Sequence, residues 1–99
     1  MSDDAKQDVR VRLYLAGDAP NSLVALANLR AVIAEYADVR ADVEIVDILT
    51  DPERGLRDGV FVTPMLVKFE PSPVRFVLGS LCDRRFLLTV LGLHEPPRE

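Results

Sequence analysis

The sequence predicts an α/β fold of order βαβαββα built on a mixed sheet, and three observations carry that prediction. An alternating segment from Val9 to Ala16 gives way, across the turn Gly17-Asp18-Ala19-Pro20, to a run with helical period. A β-branched run, Val43 to Leu49, follows that helix and completes a βαβ unit, whose crossover is expected to be right-handed. The chain then ends on two further extended segments and an amphipathic helix, with no repeat and no linker.

The first strand is read from Val9, Val11, Leu13 and Leu15 alternating with Arg10, Arg12 and Tyr14, which buries one face. Pro20 suits the first position of a helix, and Leu23, Leu26, Leu29, Ile33 and Tyr36 recur every three or four residues along it. Val24, Asn28 and Glu35 fall opposite that stripe, so Val24 is expected to be exposed. Val43 to Leu49 is nearly continuous in apolar character and is expected to be buried on both faces. Asp51-Pro52-Glu53 supplies a cap, a first-turn proline and an acid at the positive helix end, opening a short helix that Gly59 closes.

Val60 to Phe69 has strand composition interrupted by Pro64, and a cis peptide at Thr63-Pro64 reconciles the two. Glu70-Pro71-Ser72-Pro73 makes a rigid turn, and Val74, Phe76 and Leu78 then alternate as an antiparallel return strand. Asp83 opens the last helix, with Phe86, Leu87, Val90 and Leu91 on its apolar face and Gly92 at its end. This order is the thioredoxin-like arrangement. A single domain over residues 9–94 is expected, flanked by disordered tails at 1–8 and 95–99.

Composition narrows the function. A net charge of −4 offers no basic footprint for nucleic acid, and no apolar run approaches the ~20 residues that span a membrane. Met1 to Asp8 is polar and acidic, unlike a signal peptide, and the single cysteine, Cys82, closes no internal disulfide. A cytoplasmic protein is therefore expected. A thioredoxin-like enzyme carries Cys-x-Pro-Cys at the head of the first helix, where the dipole stabilises a thiolate. Here those positions read Asp18-Ala19-Pro20-Asn21, so dithiol exchange has no nucleophile and no catalytic residue is assigned.

Other candidates are weak. Cys82 reads as a small half-buried residue at a helix start, and His94 as a solvated residue near a helix end with no zinc-like spacing to any thiol or acid. Asp47 and Asp51 have no acid or base partner placed by the sequence, and Gly17 with Asp18 is too little for a phosphate loop. No metal and no cofactor is expected.

The segment Leu13-Tyr14-Leu15-Ala16-Gly17-Asp18-Ala19-Pro20-Asn21-Ser22 resembles the KaiB family of bacterial circadian-clock proteins, whose pattern here is L-Y-x-A-G-x-x-P-N-S. The resemblance continues through Val46-Asp47-Ile48-Leu49, Asp51-Pro52, Thr63-Pro64, Pro73-Val74-Arg75 and Gly79, and covers about residues 11 to 93. It implies a non-enzymatic protein that binds the ATPase ring of a KaiC-type clock protein. It further implies a second, resting arrangement of order βαββααβ that assembles into dimers or tetramers. The positions it points to for partner binding are Tyr14, Val24, Glu44, Lys68 and Arg75, with Gly17, Pro20, Thr63 and Pro64 in structural roles. Val24, Glu44, Thr50 and Gly59 stand where clock members are often basic, so the chain reads as a divergent paralogue. A self-assembling structural or stress-response protein is the other reading.

Overall fold

The computed structural model describes residues 7–36 and 38–93, and its element order is the predicted βαβαββα. Strand β1 (Gln7–Leu15) leads into helix α1 (Pro20–Ala34), then β2 (Val39–Asp47) and α2 (Pro52–Asp58). Strands β3 (Met65–Glu70) and β4 (Arg75–Leu78) and helix α3 (Arg84–Leu91) complete it. The sheet is mixed, in the order β2-β1-β3-β4, with β1 parallel to β2 and antiparallel to β3, and β3 antiparallel to β4. Gln7 and Asp8 already belong to the ladder, opposite Val39 and Arg40, so the first strand starts two residues earlier than expected. His94, residues 1–6 of the tail expected at 1–8, and the tail expected at 95–99 lie outside the described residues.

Alternation along β1 divides the core in two. Val9, Val11, Leu13 and Leu15 pack with Ala25, Leu29 and Val32 of α1 and Leu87, Leu88 and Leu91 of α3 on one face of the sheet. Tyr14, Val46, Val60 and Val67 form a smaller cluster on the other face, where α2 lies. Helix α2 comes close enough that a Cβ on Gly55 would stand 3.2 Å from Ile48 Cγ2, so the glycine permits the contact despite its propensity cost. The caps are those the sequence indicates: Asp51 accepts from the Arg54 amide, Asp83 accepts from the Phe86 amide, and Gly59 and Gly92 close their helices in left-handed geometry.

Four expectations need correction. Strand β2 is not buried on both faces: among the described residues it is an edge strand pairing only with β1, and most of its residues are exposed. The buried stripe of α1 is Ser22, Ala25, Leu29 and Val32 rather than one that includes Leu23, which is 51% exposed. The helix is apolar around much of its circumference, so periodicity alone selects no face, and small side chains at Ser22 and Ala25 let the backbone sit closest to the sheet. Phe86 is likewise exposed, with Leu88 taking its place in the core of α3. Strand β3 begins only at Met65, leaving Val60 to Pro64 as a loop; the Thr63–Pro64 bond is cis as expected, and so are Glu70–Pro71 and Ser72–Pro73.

Candidate functional site

The turn between β1 and α1 is built by backbone and carboxylate rather than by reactive groups. Gly17 has φ +57°, which disfavours any side chain, and a Cβ there would lie 2.9 Å from Leu49 Cδ1, so the exposed Leu49 side chain would have to move aside. Asp47 Oδ1 accepts from the Gly17 amide at 2.9 Å and from the Leu49 amide at 3.0 Å, tying the turn to the end of β2. Ser22 Oγ accepts from the Ala16 amide at 3.1 Å, which accounts for a serine on the buried face of the helix. Pro20 stands at the first helical position and Pro64 is buried. Since Tyr14 pairs with Met65, the Thr63–Pro64 bond falls at the same end of the sheet as this turn. Phe61, 86% exposed, and Val62 precede that bond and give this end an apolar surface.

On the α2 face, polar side chains close a ring. Arg12 pairs with Glu44 at 2.6 Å, Glu44 with Arg54 at 2.9 Å and Arg54 with Asp58 at 3.1 Å, while the Tyr14 hydroxyl donates to Asp58 at 2.8 Å and accepts from Arg12 at 3.1 Å. Hydrogen bonds from Arg12 and then Arg54 hold the Glu44 carboxyl below its ordinary value; the Tyr14 hydroxyl, then Arg54 and Arg57, do the same for Asp58. Burial pushes the Tyr14 phenol up. With two cations and two anions, the ring is electrically balanced.

Lys68 and Arg75 form the opposite kind of site. They are cross-strand partners on β3 and β4, on the face that carries α1 and α3. Lys68 is only 3% exposed and finds no acceptor among the described residues; burial lowers its pKa, and the neighbouring positive charge of Arg75 lowers it further. Arg75 is exposed and also lacks an ion-pair partner among the described residues.

The five positions singled out for partner binding are thus not gathered on one surface. Tyr14 is 2% exposed and its hydroxyl is spent in the ring, so it reaches the surface only through Arg12 and Asp58. Glu44 lies in that ring on the α2 face, across the sheet from Lys68 and Arg75. Val24 is exposed on α1, as expected, beside Leu23 and in line with Ala27 and Ala31. Between α1 and β2 a groove of about 350 Å³ is lined by Leu29, Ile33, Val43 and Ile45 with Arg30 at its rim. Cys82 is exposed rather than half-buried, with Ser80 Oγ 2.7 Å from its sulfur.

Sequence reading missed Arg54, Asp58 and Phe76. The i,i+4 spacing of Arg54 and Asp58 was available as a signal, but their partners Glu44 and Tyr14 come from strands whose register only the fold supplies. Among the described residues, no group of three or more His, Cys, Asp and Glu could hold a metal ion, and no helix is long and apolar enough to cross a membrane.

Comparison with known proteins agrees with this architecture. The KaiB domain family matches residues 12–93. The chain is similar to the circadian clock oscillator protein KaiB of Prochlorococcus marinus (strain NATL2A), 37% identical over 91% of this chain and 84% of that protein. It is similar also to KaiB of Microcystis aeruginosa, 36% identical over 95% of this chain and 91% of that one. Among solved structures, the N-terminal domain of Synechococcus elongatus SasA superposes with a TM-score of 0.67 at 22% identity, covering 93% of this chain and 90% of the domain. Mitochondrial thioredoxin 3 of Saccharomyces cerevisiae superposes at 0.66 and 15%, covering 93% of this chain and 98% of the thioredoxin. At these identities the last two describe the fold, which is thioredoxin-like.

Proposed function

Because the chain belongs to the KaiB family, we propose that it is a non-enzymatic cytoplasmic regulator whose partner is a KaiC-like ATPase. The observation that carries the reading is the family's turn, Leu13 to Ser22, standing in a thioredoxin-like fold where a redox enzyme would hold its thiols. With Asp18 and Asn21 in those positions, what the fold offers a partner is surface.

Two parts of that surface support the reading. The outer face of α1, with Leu23, Val24 and the groove beside β2, is apolar, so a partner docking there gains by excluding water rather than by charge. Lys68 and Arg75 are cations without acceptors among the described residues, and a partner carboxylate would supply what they lack. Tyr14 and Glu44 serve by holding Arg12 and α2 in place. The test is gel filtration of the purified protein with the KaiC-like ATPase of the same organism, with ATP and long incubation. Co-migration is expected; its absence at tens of micromolar would falsify the proposal.

A second reading, a self-assembling structural or stress-response protein, is favoured by one observation. Phe61, Val62, Val74, Phe76 and Leu78 are large apolar side chains left more than half exposed. It predicts a dimer or tetramer that no ATPase disperses. The family's resting arrangement, βαββααβ, would be the form that assembles, and two peak sets in an amide spectrum across concentration would reveal it.

A further inference from the structure

Strand β4 is the outer strand of the sheet, paired on one side with β3 and, among the described residues, with nothing on the other. Its two faces differ in chemistry. Toward α1 and α3 it presents Arg75 with Lys68 one strand behind; toward the α2 side it presents Phe76, 67% exposed, with Val74 and Leu78 also exposed. That apolar side continues inward as a groove of about 260 Å³ lined by Met65, Val67, Phe69 and Phe76 and bounded by Arg12 and Asp58. Helix α2 meets this face at Tyr14, through Asp58, and packs against Ile48 just beyond β2.

We infer that the β4 edge is a docking site for an extended acidic segment, a strand with carboxylates on one face and apolar side chains on the other. Three observations fix that chemistry. An open strand edge takes another strand through main-chain hydrogen bonds. The period-two alternation of Val74, Phe76 and Leu78 calls for apolar residues at every second position of the added strand. Arg75, opposite the intervening positions and without an ion-pair partner among the described residues, calls for a carboxylate there, and behind it Lys68 adds a second cation with no acceptor among them.

Charge also selects against the simplest other occupant. A second copy paired edge to edge offers no acidic residue from Arg75–Leu78, so each Arg75 would still lack a carboxylate. The opposite edge, β2, lacks the demand for acid, because its cation Arg40 is paired with Asp8 at 2.7 Å and its Glu44 is shared by Arg12 and Arg54. This inference deepens the reading of Lys68 and Arg75 as partner contacts and rests on it.

The test uses the full chain labelled for amide spectra and a capped hexapeptide of alternating valine and glutamate, with the valine–lysine counterpart as control. The glutamate peptide is expected to shift the amides of Arg75–Leu78 saturably and to bind at least tenfold more tightly than the lysine peptide. Arg75→Glu, at an exposed position outside the ring, is expected to reverse that preference, and Phe76→Ser to weaken both peptides. No shift at millimolar peptide, equal binding of the two peptides, or shifts centred on β2 would overturn the inference. Concentration-dependent shifts at β4 without peptide would also overturn it, in favour of a second copy. Peptide binding without ATPase co-migration would leave the inference and remove the partner; co-migration without peptide binding would do the reverse.

Discussion

At Lys68 the folding stability of the chain and the proposed partner contact pull in opposite directions. Burial of the Lys68 side chain partly desolvates an ammonium that has no acceptor among the described residues and faces Arg75, whereas a methionine of similar length leaves no charge to desolvate. Lys68→Met is therefore expected to raise the urea midpoint, by about 1 kcal/mol in stability, while weakening the complex with the ATPase. A lowered midpoint would mean that the lysine is satisfied in a way its surroundings do not suggest. Its burial was not legible in the sequence, because Leu66-Val67-Lys68-Phe69 is apolar on both sides of the lysine and alternation marks no outward face. Gly17 was legible: a glycine between a strand and a proline-headed helix announces a tight turn. Gly17→Ala should cost about 1–2 kcal/mol in urea unfolding from the left-handed backbone alone, and Leu49 must also move.

Helix α2 is the element whose attachment depends most on charge. It spans seven residues, carries a glycine where it packs against Ile48, and leaves Leu56 exposed, so apolar burial alone holds it weakly. The ring through Arg12, Glu44, Arg54, Asp58 and Tyr14 adds the rest. Glu44 and Asp58 titrate lower in the folded chain than in the unfolded one, so their contribution is complete above the unfolded values near pH 4 and is lost as pH falls through the folded values. Acidification from about pH 5 to pH 3 should lower the urea midpoint, and Arg54→Gln should flatten that dependence by loosening both carboxylates. An unchanged slope in the variant would show that α2 is held by packing instead. The order and caps of the elements could be read from the chain because Asp51, Gly59, Asp83 and Gly92 act within a few residues of themselves. Sheet position could not: Val43 to Leu49 has the composition of a central strand, yet order β2-β1-β3-β4 puts it at an edge, a matter of topology rather than local preference.

For the whole molecule, the two arrangements proposed for the family make the front and back halves answer differently to substitution. The first three elements, βαβ, are common to both orders, whereas everything from α2 onward would have to be rebuilt. Val24→Glu on α1 should therefore act by contact alone, whereas a substitution at Asp83, the cap of α3, should act on the population of the binding form. Asp83→Ala removes a cap worth about 1 kcal/mol, and if the binding form is a minor species the apparent affinity for the ATPase should fall by roughly fivefold, the same factor in free energy. If the thioredoxin-like form already dominates, that loss comes from its excess stability and affinity stays put. The double variant Val24→Glu, Asp83→Ala separates the cases, because contact and population effects at distant sites add to within about 0.5 kcal/mol. An additive fivefold loss from Asp83→Ala, accompanied by a changed ratio of two amide peak sets, is the outcome expected of a chain that binds in one arrangement and rests in another. An unchanged affinity with a single peak set would leave one fold serving throughout.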